Sequence, residues 1–245
     1  MKRVVGILGF LCLASVCAAS DFSVDFTGCI ESIGVGLVST DTARGFVPAG
    51  FVLAGEGTPV TPEVVRTSRC DGISVGGEHA RRGIVVQIGL VVVPPDFTGD
   101  INNYTLWYYT SDRELAQQLK QAGVAAQWVP GLVDVYVPAI PGDSDPLAVL
   151  VPPPGRPTLA VGGHVTASAV PAGSFEANWW VQAGASRVKM DTDVPTIFIG
   201  TADLTLVTDA SNDLGHLLGG GVVQFPVLQQ FNTFSNAHMA VTVTP

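Results

Sequence analysis

Lysine is almost missing: Lys2, Lys120 and Lys189 are the whole supply in 245 residues. Charge of every kind is sparse, at 13% of residues against about 25% in an average soluble domain. The 12 Lys+Arg form no cluster and face 21 Asp+Glu, for a net charge of −9. Such a chain cannot neutralise a run of phosphates, which excludes nucleic-acid binding. It also has too few Glu, Lys, Arg and Gln for a helical bundle or coiled coil. No Gly-x-Gly-x-x-Gly opens a helix, and Gly219–Gly221 lacks the Lys-Ser/Thr of a phosphate loop, so nucleotide binding is disfavoured. His79, His164, His216 and His238 are far apart and none pairs at i, i+2 or i, i+4. A zinc site needs converging ligands, so neither a metal nor a cofactor is expected.

What the chain does have is apolar residues, 47% of the total, punctuated by 28 Gly and 17 Pro. That content is too high for disorder and predicts a β-rich domain whose strands are separated by Gly/Pro turns.

Residues 1–20 read as a secretory signal peptide. Lys2 and Arg3 precede an apolar run from Val4 to Val16, and small residues stand at −3 and −1 of a cleavage site near Ala18–Ser20. The run is too short to span a bilayer. Cleavage would remove two basic residues and no acid, leaving 10 basic against 21 acidic and a net charge of −11. It would also remove Cys12 and Cys17. Cys29 and Cys70 then remain in an exported chain, secreted or periplasmic, and are expected to form a disulfide.

Along residues 21–245, Glu63–Val75 and Ile84–Val93 read as a hairpin across a Gly76–Gly83 turn, and Asn102–Thr110 as an aromatic strand. Alternation there places Trp107 and Tyr109 on one face and Tyr104 and Tyr108 on the other. Ser111 with Glu114 reads as a capping box for a helix stopped by Gly123. A shorter helix is expected over Ser211–Leu218. Pro138–Pro157 reads as a long connection. Further strands are expected at 157–168, 175–182, 187–191, 196–207, 222–228 and 237–244. About ten strands and one or two helices predict a mainly β fold: a single closed or nearly closed β-barrel with peripheral helices, or a sandwich.

Phe46-Val-Pro48-Ala-Gly50-Phe51 resembles the Pro-x-Gly-Phe opening of acetoacetate decarboxylase-like proteins. The order that follows is similar too: a hairpin, a strand running into a helix, then a Trp/Pro segment. The resemblance covers about residues 44–135. It implies a cone-shaped barrel with an apolar interior that takes a small organic acid or ketone. In that family the segment after the helix carries a lysine pair that forms the Schiff base. Here it reads Gln127-Trp128-Val129-Pro130-Gly131-Leu132, with Gly131 and Leu132 where the lysines would stand. Decarboxylase chemistry therefore does not carry across. Lys120 lies among Gln117, Gln118 and Gln121 on the helix, and Lys189 alternates with Arg187 near Asp191 and Asp193; both read as solvated.

Site candidates come from alternation. In the 175–182 strand one face takes Phe175, Ala177 and Trp179, the other Glu176, Asn178, Trp180 and Gln182. If the mixed face points inward, Asn178 and Trp180 line a pocket and Glu176 is a candidate base. If it points outward, Glu176 and Asn178 are simply solvated. Glu78, in the hairpin turn, is a second candidate base. Trp107 is a further ligand-binding candidate, and Arg66, alternating with Ser68 and Cys70, is a candidate carboxylate anchor.

Three functional readings follow. The first is an exported barrel that binds, and transforms by lyase or isomerase chemistry, a small largely apolar organic acid or ketone. The second is a non-catalytic binding or structural module. The third is a serine hydrolase using Ser74, since Gly72-Ile73-Ser74-Val75-Gly76 matches a nucleophile-elbow pattern, with Asp134 and His216 or His238 downstream.

Overall fold

The computed structural model describes residues 21–136, 144–152 and 159–245; the signal-peptide reading and parts of the Pro-rich connection lie outside them. The chain runs β1 (Phe22–Ser39), α1 (Thr40–Arg44), β2 (Val60–Val75), β3 (Arg81–Val91), β4 (Ile101–Thr110), α2 (Arg113–Ala122), β5 (Ala126–Trp128) and β6 (Val133–Tyr136). It continues with β7 (Asp145–Val151), β8 (Leu159–Thr166), β9 (Pro171–Ala183), β10 (Ser186–Thr208), α3 (Asp213–Leu218), β11 (Val222–Gln224) and β12 (Leu228–Thr244).

Seven strands close on themselves in the order β12-β1-β2-β3-β4-β9-β10, with β10 pairing back to β12. All these seams are antiparallel except β4–β9, a parallel pairing limited to Ile101–Tyr104 against Ala177–Trp180. The ring is thus nearly, but not regularly, a barrel. Beyond the ring, β10 extends through β8 and β7 to β6.

The two faces of the ring bury two cores. The inner core holds Val35, Val64, Val85, Tyr108, Trp179, Met190, Phe234 and Val241, and is stoppered by Leu115 and Leu119 of α2. The outer core packs Val65, Ile88, Leu90, Tyr104 and Trp180 against Leu147, Val149 and Val161 of β7 and β8 and against Leu214 and Leu217 of α3. Each fully buried Val, Leu or Ile contributes ~1.5–3 kcal/mol relative to leaving it exposed.

Strand alternation is broken at several points, and the breaks in β1 and β4 decide what faces inward beside the site. Gly28 adopts φ +57, a conformation open to glycine at little cost. Across it the inward set changes parity, from Val24 and Phe26 to Cys29 and Glu31, and opposite it from Val75 and Ile73 to Cys70 and Ser68. In β4 a bulge sets Thr105 against Gly89 and Trp107 against Ile88, so that Leu106 is extra. Tyr104 therefore shares the outer core with Trp107 and Tyr109, and only Tyr108 turns inward. Uniform alternation, which puts Tyr104 on the face of Tyr108, fails here because of this bulge.

Other local differences have simple causes. The cap of α2 is Asp112, whose side chain accepts from Leu115 N at 2.8 Å; Ser111 Oγ instead accepts from Ile84 N at 2.9 Å. Gly123 ends α2 at φ 100 as expected. Segments 187–191 and 196–207 are one strand, β10, because Pro195 falls at a register shift where no ladder donor is needed. The Pro-rich connection contains a strand, β7, buried on alternate residues. Cys29 and Cys70 stand directly opposite on β1 and β2 and are joined by a disulfide, Cα–Cα 4.1 Å.

Candidate active site

Inside the ring, residues paired across the strands form successive rungs. The disulfide Cys29–Cys70 with Phe234 makes one rung. Glu31, Ser68 and Asn232 make the next, then Ile33, Arg66 and Gln230, then Val35, Val64 and Leu228. Gln87 continues the Arg66 rung onto β3.

Glu31 and Arg66 form the ionic centre. Arg66 Nε donates to Glu31 Oε2, and Arg66 Nη1 donates to Gln87 Oε1 at 2.7 Å. Asn232 Nδ2 donates to Glu31 Oε1 at 3.2 Å. Only an oxygen can accept from a guanidinium and only an amide nitrogen can donate to a carboxylate, so both amide orientations are fixed. Arg66 Nη2 has no partner among the described residues.

Above this centre lies a cavity of about 280 Å³. Its lining combines Glu31, Arg66, Asn103, Thr192, Trp179 and Gln230 with a larger apolar surface from Ile33, Val35, Val64, Phe175, Ala177, Val194 and Leu228. The lining becomes exposed at Asp100, Ile199 and Leu228, which marks its opening. Several buried polar atoms in and beside it have no hydrogen-bond partner: Asn103 Oδ1, Trp179 Nε1, Thr192 Oγ1, Gln87 Nε2 and Asn232 Oδ1. An apolar enclosure with a few polar groups, just below the usual range of roughly 300–1,000 Å³, suits a small organic molecule.

Of the residues singled out from sequence, Arg66 lines this cavity. Asn178, Trp180 and Glu176 occupy the opposite face of β9, because Phe175, Ala177 and Trp179 turn inward. That outer face is covered rather than solvated. Asn178 Nδ2 donates to Thr98 O at 3.0 Å, and Trp180 Nε1 donates to Asn102 Oδ1 at 2.8 Å. Trp107 packs in the outer core against Phe46, ring centroids 6.0 Å apart. Glu78 is exposed in the β2–β3 turn, where its carbonyl accepts from Ser74 Oγ at 2.6 Å. The structure therefore does not bring Glu176, Glu78, Asn178, Trp180 or Trp107 together with Arg66. Asn103 heads an acceptor sequon, but its side chain is inside the ring.

No helix follows Ser74, and α2 is the next one along the chain. The register does align Ser74, Asp25 and His238 across β2, β1 and β12, with His238 Nδ1 to Asp25 Oδ1 at 2.7 Å. The order is wrong for a triad: the carboxylate stands in the middle, so the imidazole cannot reach the hydroxyl. Asp134 is instead paired with Arg69 at 3.3 Å; burial raises its pKa, against the pull of Arg69 and Arg82.

No lysine is in the lining among the described residues. Lys120 is exposed on α2. Lys189 Nζ lies outside the ring, 2.8 Å from Asp191 and 2.9 Å from Asp96. Burial lowers its pKa, but the two carboxylates outweigh that and the net shift is upward, so the amine is held as a cation. Sequence reasoning missed Glu31, Gln87, Asn103, Trp179, Thr192 and Asn232.

No protein-family profile matches this chain, and no curated protein matches it. Solved structures do. The enduracididine biosynthesis enzyme MppR complexed with pyruvate matches at 14% identity and TM-score 0.55, over 95% of this chain and 92% of its own. An acetoacetate decarboxylase-like enzyme from Sphingomonas wittichii RW1 matches at 10% identity and TM-score 0.53, over 97% and 96%. Acetoacetate decarboxylase from Legionella pneumophila matches at 9% identity and TM-score 0.52, over 91% and 87%. The likeness spans nearly the whole of each chain, and this protein has the fold of the acetoacetate decarboxylase-like enzymes.

Proposed function

We propose that the ring encloses a binding site for a small, largely apolar organic acid. The observation that carries this reading is Arg66, a guanidinium held inside the ring with Nη2 unpartnered at the wall of a mostly apolar cavity. A carboxylate is its natural complement. The like-folded enzyme MppR, complexed with the small acid pyruvate, supports the ligand class. Export to a secreted or periplasmic location belongs to the same proposal and is supported by the disulfide. Among the described residues no helix is long and apolar enough to cross a membrane.

Binding is favoured over chemistry by the state of Glu31. Both its oxygens already accept hydrogen bonds, from Arg66 and Asn232. A second reading, lyase or isomerase action, rests on Glu31 being the buried carboxylate of the lining; it would act as general acid or base for a proton on the bound ligand.

The test is native mass spectrometry of the purified protein, for a retained ligand, followed by calorimetric titration with straight and branched carboxylates of four to six carbons. Binding of at least one acid, weakened about tenfold or more in a folded Arg66→Gln variant, is expected. Absence of any binding, or equal binding by the variant, overturns the proposal.

A further inference from the structure

The polar groups of the lining are not equally within reach. Asn103 Oδ1, Trp179 Nε1 and Thr192 Oγ1 are enclosed by protein, where no ligand atom touches them. Two unpartnered groups are not enclosed in this way: Arg66 Nη2 and the side-chain amide of Gln230. Along β12, Gln229 turns outward, where its Oε1 accepts from Leu204 N, while Leu228 and Gln230 line the cavity and Asn232 turns in to Glu31. Gln230 is half-buried, and its amide makes no hydrogen bond to any described residue.

Arg66 and Gln230 stand on one rung, on either side of Ile33. Neighbouring strands lie about 4.8 Å apart, so the two backbones are about 10 Å apart. Arg66 leans over β1 to Glu31, which shortens the gap between its guanidinium and β12. A carboxylate on Arg66 then leaves the Gln230 amide for a second group of the same ligand, about two to four carbons away. The next rung, Val35, Val64 and Leu228, gives the carbons between them an apolar wall.

The amide states what that second group is. It offers a donor and an acceptor side by side. A ligand carbonyl takes the Nε2 hydrogen bond and leaves Oε1 unfilled. A hydroxyl has one oxygen to serve both atoms. A second carboxylate sets an oxygen against Oε1, in a lining that already carries Glu31 and Asp100 against one guanidinium. A carboxamide fills both positions with a reciprocal pair of N–H···O=C hydrogen bonds and adds no charge. Resting on the proposal that Arg66 receives a carboxylate, we infer that the ligand is an amide-bearing acid: a short carboxylate whose terminal carboxamide is read by Gln230.

The test is calorimetry on the intact chain with three matched sets of four to six carbons: the monoamides succinamate, glutaramate and adipamate, the corresponding dicarboxylates, and butanoate, pentanoate and hexanoate. One monoamide is expected to bind at least about tenfold more tightly than the dicarboxylate and the plain acid of its own length. In Gln230→Met, which keeps the length and deletes both polar atoms, and in Gln230→Glu, which deletes the donor, that preference is expected to collapse. Affinity of the Gln230→Met variant for the plain acids is expected to stay within about threefold, which also reports that it folds. If a plain acid or a dicarboxylate binds as tightly as the best monoamide, Gln230 holds only water and the inference fails while the acid site stands. If the preference persists in both variants, another group reads the amide and the inference fails. If both variants lose the plain acids as well, Gln230 is part of the carboxylate contact and not a separate reader, and the inference fails. If none of the acids binds to the parent, the underlying acid site fails with it.

Discussion

Arg66 reaches diagonally across the β1–β2 seam to Glu31, although the register pairs it with Ile33 and pairs Glu31 with Ser68. The diagonal joins two neighbouring rungs, and both charged residues line the cavity together with Ile33. Removing one member of a buried pair strands the other, which costs about 3–5 kcal/mol. Glu31→Gln is therefore expected to lower unfolding stability by about 3 kcal/mol in urea titration. Replacing both residues, as Glu31→Leu with Arg66→Met, is expected to restore most of that stability while abolishing acid binding.

The disulfide is the rung beneath Glu31, and Ser68 Oγ lies 3.7 Å from Cys70 Sγ. It closes a separation of 41 residues, worth about 4 kcal/mol in the chain-entropy model. Cys29→Ala with Cys70→Ala is expected to lower stability by about 2–4 kcal/mol. Intact protein should gain the mass of two hydrogens on reduction. An unchanged mass would show that no bond forms.

Glu63 is a carboxyl buried outside the ring, opposite Gly36 and Leu90, with neither oxygen partnered. Burial pushes its pKa from 4.5 up to about 8. The folded state therefore keeps a proton that the unfolded chain releases. This carboxyl's contribution is full below pH 4.5 and is lost as pH rises toward 8, at a limiting slope of about 1.4 kcal/mol per pH unit. Glu63→Gln is expected to flatten that decline and to be more stable than the parent at pH 9, by about 2 kcal/mol or more. Parallel stability curves for the two proteins between pH 5 and 9 would contradict it.

Gly28 sets the inward parity of β1 at φ +57, and a Cβ there would sit 2.8 Å from Asp71 Oδ2. Asp71 is exposed and can move, but the backbone cannot, so Gly28→Ala is expected to cost about 1–2 kcal/mol, read from its urea midpoint.

Much of the fold was legible. Long β-branched runs, Gly123 and the cysteine pair each predicted their structure, because each is a local or compartment-level signal. The site was half legible. Arg66 stood out as a cation alternating with Ser68 and Cys70. Its partner Glu31 did not, because residues 22–39 mix glycine, serine and acid and carry no clean strand pattern. The predicted disulfide contained the missing step: cysteines facing each other across two strands put Glu31, two residues from Cys29, on the face of Ser68 and Arg66. Asn178, Trp180 and Glu176 drew attention because polar groups beside tryptophan suggest a pocket. Their hydrogen bonds go instead to the 98–102 segment, a long-range covering that alternation cannot reveal. The Leu106 bulge is likewise invisible to a period-two pattern.

The most direct test of the central claim watches the four indole N–H signals of 15N-labelled protein during titration with the four-to-six-carbon acids. Trp180 is already bonded to Asn102, Trp128 to the Ser111 carbonyl, and Trp107 is packed in the outer core, whereas the Trp179 side chain lines the cavity. The signal lost in Trp179→Phe is predicted to move, saturably, while the other three stay. No movement with any acid, or movement of Trp107 or Trp180 with Trp179 unchanged, would contradict a binding site inside the ring.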